Sequence, residues 1–199
     1  MTHAPILIAL GSNIAPLDNL ARGLRLLNEI CPVVALSHFY ATDPVGVPGQ
    51  AEFLNGAVEV RCDFTPHDLK QRLRAIETLR SRRRHGARHG PRTLDMDIAL
   101  MGSCLVDEDS LMIPDRDIPQ RAFLAIPLAQ LAPNLVHPVL GVTLAELARA
   151  FLPTCPGMRS DSMADSFLHA LFPGIRLPRS DWAWAMVKGD PNGERNACQ

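Results

Sequence analysis

Hydrophobic and polar positions follow two periods in the first half of the chain, and their order predicts its secondary structure. Short apolar or alternating runs predict strands at 6–10, 33–40, 53–62 and 94–100. Leucines at helical spacing predict one helix beginning at Pro16 and a second beginning at Pro66, behind an N-cap at Thr65. The order β-α-β-β-α-β predicts an α+β fold, a ferredoxin-like sandwich with an antiparallel sheet. We expect its helices on one face of the sheet, with the other face open.

The second half of the chain predicts additions to this core. We expect an extra C-terminal hairpin over 101–112, a helix from Pro119 towards Leu131, and a last amphipathic helix capped by Thr143. After Pro153 the periodic pattern weakens, and the end of the chain is polar and turn-like. The sequence therefore predicts a main domain over 1–157 and a C-terminal extension over 158–199 that is partly disordered.

Composition narrows the class of protein. The 199 residues are 47% hydrophobic, which suits a soluble globular domain, and a formal net charge of −1 argues against a general polyanion binder. The five cysteines are scattered and form no C-x-x-C pair, so we expect neither a zinc site nor a disulfide framework. The first apolar run is too short for a signal peptide, and no run reaches the length of a membrane span. We therefore expect a cytoplasmic protein.

Two carboxylates on one predicted strand are the strongest chemical signal. Asp95 and Asp97 alternate with the apolar residues Leu94, Met96 and Ile98. Successive side chains of a strand point to opposite faces, so both carboxylates stand on the same face of the sheet. Such a pair of hard oxygen donors suits Mg²⁺. Two aspartates on an exposed strand face are more often solvated than bound to metal, so a metal site needs support from a second feature of the sequence.

That second feature is a run of arginines with no acidic residue among them. Its members are Arg80, Arg82, Arg83, Arg84, Arg88 and Arg92. Arginine runs are usually solvated faces or nucleic-acid patches, but the guanidinium group also matches the geometry of phosphate. A metal-bound oligophosphate would explain the carboxylates and the arginines together. The combination therefore favours a nucleotide-triphosphate site and phosphoryl transfer.

Several segments together resemble the 6-hydroxymethyl-7,8-dihydropterin pyrophosphokinase family, whose fold is ferredoxin-like. The matching segments, in the family's order and spacing, are Ala9–Asn13, Phe39–Gly46, Phe53–Val58, Arg88–Ile98, Ile113-Pro114, Arg121-x-Phe123 and Pro127–Pro133. The resemblance implies that residues 1–157 are a catalytic domain of folate biosynthesis. It would transfer pyrophosphate from ATP to the hydroxymethyl oxygen of the pterin and release AMP.

The resemblance also implies roles for individual residues, with ATP as co-substrate and two Mg²⁺ ions as cofactors. Asp95 and Asp97 would bind both ions. Arg92 would hold phosphate, and Arg82 would lie nearest the reacting group, in a loop that closes over the triphosphate. The nucleotide-binding positions match Glu77, Arg84, Arg88, Ile98 and Arg121. The pterin-binding positions match Thr42, Val45, Phe53, Asn55 and Phe123, with the two phenylalanines stacking on the ring.

Two positions depart from the family pattern. This chain has Pro114-Asp115-Arg116 where the family usually reads Pro-His, and His89 where an indole is common before Gly-Pro-Arg. Both lie near the nucleotide or the closing loop by resemblance. They therefore bear on ATP binding and loop closure more than on the reaction.

Two other functions stay open at this point. A ferredoxin-like nucleic-acid-binding module would use the arginine run, although its aspartates would repel a phosphate backbone and it lacks paired stacking aromatics on its central strands. A two-metal nucleotidyltransferase on a palm-like sheet would share the strand order and the aspartates, but would release pyrophosphate. Against both alternatives, we expect the pyrophosphokinase function, with ATP and the pterin as small-molecule partners, no nucleic acid, no membrane and no obligate protein partner.

Overall fold

The computed structural model describes residues 4–44, 49–80, 91–151 and 157–178. The strands are β1 (Ile6–Ser12), β2 (Val33–Leu36), β3 (Tyr40–Thr42), β4 (Phe53–Val60), β5 (Asp95–Met101), β6 (Val106–Glu108), β7 (Leu111–Ile113) and β8 (Met158–Ser160). The α-helices are α1 (Pro16–Ile30), α2 (Pro66–Arg80), α3 (Ala122–Leu131), α4 (Leu144–Arg149) and α5 (Ser162–His169). Within these ranges, no helix combines the length and the apolar character needed to cross a bilayer.

The main sheet is open and antiparallel. Its strands are ordered β5-β1-β4-β3-β8, and β2 also pairs with β4, while β6 and β7 pair separately as a hairpin. The sequence predicts one strand over 33–40, but the structure divides it into β2 and β3. Ser37 still bonds to Ala57 of β4: its N–H donates to the Ala57 carbonyl at 3.0 Å, and its hydroxyl accepts from the Ala57 N–H at 2.8 Å. The next two N–H groups donate to side chains and not to β4, because the His38 N–H bonds to Gln130 at 3.1 Å and the Phe39 N–H bonds to Asp165 in α5 at 2.6 Å.

Helices cover both faces of the sheet, so the prediction that one face is open is wrong for most of that face. α1, α2 and α5 pack on the first face, around Leu24, Leu73 and Leu168. α3 and α4 pack on the second face. α3 can do so because all its residues from Ala125 to Leu131 are buried, and because the facing strands present small alanines (Ala9, Ala35, Ala57 and Ala99). Among the described residues, the end of this face that carries Asp95 and Asp97 stays accessible.

Local capping signals are confirmed, whereas the last elements were not predicted. Thr143 and Glu146 form a reciprocal capping box at the start of α4, and the Thr65 hydroxyl accepts from the Asp68 N–H at the start of α2. β8 and α5 follow the helix that the sequence indicates as the last. They lie within the predicted C-terminal extension, whose residues 179–199 fall outside the described part of the chain.

Gly56 allows a buried aromatic ring to pack directly against β4. A Cβ atom at residue 56 would lie 2.6 Å from two carbons of the Phe39 ring, which is fully buried. We expect Gly56→Ala to lower the free energy of unfolding by about 1–3 kcal/mol through overpacking. Equilibrium denaturation measures this change. Combination with Phe39→Leu should cost less than the sum of the two single losses, and additive losses would contradict the contact.

Candidate functional site

A cavity of about 340 Å³ opens at the accessible end of the second face. Eight residues predicted from the sequence line it together: Thr42, Phe53, Asn55, Arg92, Asp95, Asp97, Arg121 and Phe123. They come from three strands, from the segment before β5, and from the start of α3 with the residue before it. The fold therefore brings the predicted pterin-binding and phosphate-binding residues into one pocket.

Strand register explains how these residues meet. Gly11 in β1 lies opposite Asp95 on one side and opposite Asn55 on the other. A Cβ atom at residue 11 would lie 2.7 Å from the Asn55 Oδ1 atom. Glycine at this position therefore leaves the space into which the Asn55 amide projects.

The end of the pocket formed by β3 and β4 offers a fixed amide beside aromatic surface. The Asn55 Nδ2 atom donates to the Thr42 hydroxyl at 2.7 Å, and both residues are buried. Phe53 pairs with Thr42 across the strands, and Phe123 enters from α3. A flat heterocycle with donors and acceptors in its plane suits this combination of rings and amide.

The end formed by β5 concentrates charge. Asp95 pairs with Arg92, and Asp97 pairs with Lys70 from α2. Asp115 joins them on the pocket wall. Its N–H donates to the Ala99 carbonyl at 2.9 Å, which ties the segment after β7 to the end of β5. Sequence reasoning missed Lys70, which stands in no motif, and named Asp115 only as a departure from the family pattern.

Two carboxylates at this end, Asp95 and Asp115, have pKa values above the ordinary aspartate value. Burial raises the pKa of Asp95, repulsion from Asp97 raises it further, and the Arg92 guanidinium opposes both effects. Burial also raises the pKa of Asp115, against a hydrogen bond from the Asp117 N–H, and repulsion from Asp97 adds to the rise. Cations would stabilise the ionised forms of these groups.

The donors at this end fit Mg²⁺. Asp95 and Asp97 present hard oxygens on one face, and their side chains are 33% and 44% exposed towards the pocket. Among the described residues, no group of three or more His, Cys, Asp or Glu side chains is placed to hold an ion alone. Mg²⁺ uses few protein carboxylates and takes its other ligands from water and phosphate. The residues that would hold it here are Asp95 and Asp97.

The remaining predicted residues lie elsewhere or cannot be placed. The Ile98 side chain is buried in the core of the first face and does not line the pocket. Arg116 is exposed and donates to Asp107 in β6 at 2.7 Å. Four predicted site residues lie outside the described part of the chain: Val45, Arg82, Arg84 and Arg88. His89, which departs from the family pattern, lies outside it as well. The assigned roles of Ile98 and of these four residues stay predictions.

Glu77 lies behind the pocket, where α2 runs along the edge of the sheet. Its Oε1 atom accepts a hydrogen bond from the Met96 N–H at 2.8 Å, on the edge of β5 that faces away from β1. Burial raises the pKa of Glu77, the Met96 N–H opposes the rise, and repulsion from Asp95 adds to it. Its assignment to the nucleotide site also stays a prediction, and its hydrogen bond with the Met96 N–H gives it a structural function in the sheet.

The raised pKa of Glu77 predicts a pH-dependent gain in stability for Glu77→Gln. The folded chain holds the Glu77 proton to higher pH than the unfolded chain, so wild-type stability falls as pH rises from the ordinary glutamate pKa through the raised value. Glutamine keeps an acceptor for Met96 and carries no charge. We therefore expect the variant to be more stable than wild type at neutral pH and equally stable in acid. Denaturant titrations at several pH values measure this difference, and a difference independent of pH would contradict the assignment.

Comparisons with known proteins agree with this geometry. A family model described as 7,8-dihydro-6-hydroxymethylpterin-pyrophosphokinase (HPPK) matches residues 7–133. The 2-amino-4-hydroxy-6-hydroxymethyldihydropteridine pyrophosphokinase of Pseudomonas aeruginosa is 40% identical over 154 residues, which cover 76% of this chain and 91% of that protein. The protein of the same name from Haemophilus influenzae is 33% identical over 147 residues, which cover 72% and 91%.

A solved structure gives the same result for the fold alone. The wild-type HPPK-DHPS protein of Plasmodium falciparum aligns with a TM-score of 0.62 at 13% identity. The alignment covers 76% of this chain but only 45% of that longer chain. Together, the match to the family model over most of the chain and the identity to full-length relatives establish that this protein belongs to the 7,8-dihydro-6-hydroxymethylpterin-pyrophosphokinase family.

Proposed function

We propose that this protein transfers pyrophosphate from ATP to the hydroxymethyl group of 6-hydroxymethyl-7,8-dihydropterin, giving AMP and the pterin diphosphate in folate biosynthesis. The observation that carries the proposal is the two-ended pocket, in which rings and a fixed amide lie beside paired carboxylates and arginines. One end suits a flat acceptor and the other end suits a metal-bound oligophosphate. A transfer reaction requires both in one cavity.

The pterin end would position the acceptor. Asn55 is held by Thr42, so its amide is oriented before the substrate arrives, and this reduces the entropy lost on binding. Phe53 and Phe123 would bind the faces of the ring, with about 0.5–1.5 kcal/mol for each stacking contact beyond burial. The hydroxymethyl oxygen would then face Asp95 and Asp97.

The charged end would align the phosphates. When bound, Mg²⁺ neutralises the oligophosphate and polarises the accepting hydroxyl group. Two ions on Asp95 and Asp97 are part of the proposal. Arg92 and Arg121 line the same cavity and would contact phosphate oxygens. Phosphoryl transfer depends mainly on alignment and charge neutralisation, so no protein nucleophile is required.

The proposal extends to the fold topology, the remaining arginines, the partners and the location of the protein. The order β5-β1-β4 followed by β2 and β3, with α1 and α2 on one face, supports a ferredoxin-like core within this fold. Arg82 and Arg84 would close over the triphosphate, and Arg88 would bind the nucleotide. A net charge of −1 supports small molecules rather than nucleic acid as partners. The scattered cysteines and the absence of a membrane-spanning helix among the described residues support a cytoplasmic location.

Chromatography of the products tests the reaction. Purified protein, ATP, Mg²⁺ and 6-hydroxymethyl-7,8-dihydropterin should give AMP and the pterin diphosphate in equal amounts, and omission of the pterin or the metal should stop both. Release of pyrophosphate without AMP would favour the nucleotidyltransferase. RNA binding without magnesium, by protein that forms no AMP, would favour the nucleic-acid module.

A further inference from the structure

Lys70 is a cation that the carboxylates around the pocket share. Its side chain is only 15% exposed, and its ammonium group pairs with the Asp97 Oδ1 atom. The charges of Glu77, Asp95 and Asp115 also lie close enough to interact with it. Lys70 therefore faces acidic groups from α2, from β5 and from the segment that follows β7.

The next cation on the same side of α2 points elsewhere. Arg74 lies one turn after Lys70 and donates from Nη2 to the Ser110 carbonyl, in the turn between β6 and β7, at 3.0 Å. Both residues carry one positive charge and belong to the same helix. Of these two cations, Lys70 is the one that has an ion pair with a proposed metal ligand. Arg74 is therefore a matched control for the charge of Lys70.

A metal ion and the Lys70 ammonium would compete for the Asp97 carboxylate. A divalent ion bound to this carboxylate would lie close to a largely buried ammonium, and repulsion between like charges is weakly screened there. Lysine carries a compact charge on a flexible stem, so the ammonium can move to another partner. The phosphates of a bound nucleotide are the strongest such partner that the proposed reaction brings into the pocket.

We infer that Lys70 is a positioning residue that competes with the divalent ion for Asp97, so that tight metal binding requires a nucleotide whose phosphates take over the Lys70 ammonium. The inference rests on the proposed metal-binding role of Asp97. It makes metal binding and nucleotide binding mutually dependent through one side chain.

Binding of Mn²⁺ to the full-length protein tests this inference without turnover. Free Mn²⁺ is measured by electron paramagnetic resonance, with and without α,β-methylene-ATP. Lys70→Met should bind Mn²⁺ about 10-fold more tightly than wild type when no nucleotide is present, and the nucleotide should increase its affinity by a correspondingly smaller factor. If Lys70 had only a structural function, its replacement by methionine would not increase the affinity for Mn²⁺. Equal or weaker Mn²⁺ binding by Lys70→Met would overturn the inference.

Further variants make each outcome decisive. Lys70→Gln keeps a side-chain donor for Asp97 without the charge, so it should also bind Mn²⁺ more tightly, and it decides the matter if Lys70→Met does not fold. Arg74→Met should keep the wild-type Mn²⁺ affinity, and an equal gain there would overturn the inference in favour of a general charge effect. Asp97→Asn should bind Mn²⁺ more weakly than wild type. If Asp97→Asn binds Mn²⁺ as wild type does, the proposed metal site is wrong and the Lys70 inference fails with it. If Asp97→Asn binds more weakly but the Lys70 variants bind as wild type does, the metal site stands and only the Lys70 inference fails.

Discussion

Asp97→Asn should lower kcat for AMP formation by at least about 1,000-fold, on the order of 4 kcal/mol of transition-state stabilisation. Asparagine keeps the shape of the side chain and an oxygen that can accept from Lys70. It loses the negative charge that Mg²⁺ requires from one of its two protein ligands. The loss should persist at saturating ATP and pterin, because it removes charge neutralisation in the transition state and not substrate contacts alone. Steady-state assays of AMP at several Mg²⁺ concentrations measure it.

Asp107→Asn is the matched control for this prediction. Asp107 is an exposed carboxylate of β6 that pairs with Arg116, and it does not line the pocket. This variant has the same change of charge and should retain wild-type kcat. Near-normal turnover by Asp97→Asn at ordinary Mg²⁺ concentrations would contradict the assignment of the metal site to β5.

Asn55→Leu should lower kcat/KM for the pterin by about 100- to 1,000-fold, or roughly 3–4 kcal/mol. Leucine has a similar size but offers neither a donor nor an acceptor to the edge of the ring. It also leaves the buried Thr42 hydroxyl without its bond from Asn55, so a polar group is desolvated without compensation. ATP affinity should change little, because the phosphates would lie at the other end of the pocket. Steady-state kinetics with each substrate varied in turn measure both parameters.

A second asparagine provides the control for Asn55. Asn19 in α1 also uses its Nδ2 atom as a donor, to the Ile14 carbonyl at 2.6 Å, and does not line the pocket. Asn19→Leu should leave kcat/KM for the pterin unchanged. Loss of ATP affinity in Asn55→Leu, with pterin affinity preserved, would reverse the proposed assignment of the two ends.

Elements with a strong local signal could be predicted from the sequence. The alternation of Asp95 and Asp97 with apolar residues is enough to place both carboxylates on one face, because strand side chains alternate in any sheet. The capping residues Thr65 and Thr143 act within a single turn, so they too are readable without the fold. β8 was missed because it is a short strand at the sheet edge, with only one of its three residues buried.

The family, the carboxylate pair and the rings and amide of the pocket could therefore be recognised from residue types at fixed spacing. The distant residues that complete the charged end become visible only when the chain is folded. Lys70 reaches Asp97 because α2 packs along the edge of β5, and Asp115 arrives because its segment is bonded to the Ala99 carbonyl. The packing of α3 on the second face also depends on the tertiary structure, because small alanines from separate strands form the surface that it covers. Contacts of this kind join residues far apart in the chain, and no local pattern encodes them.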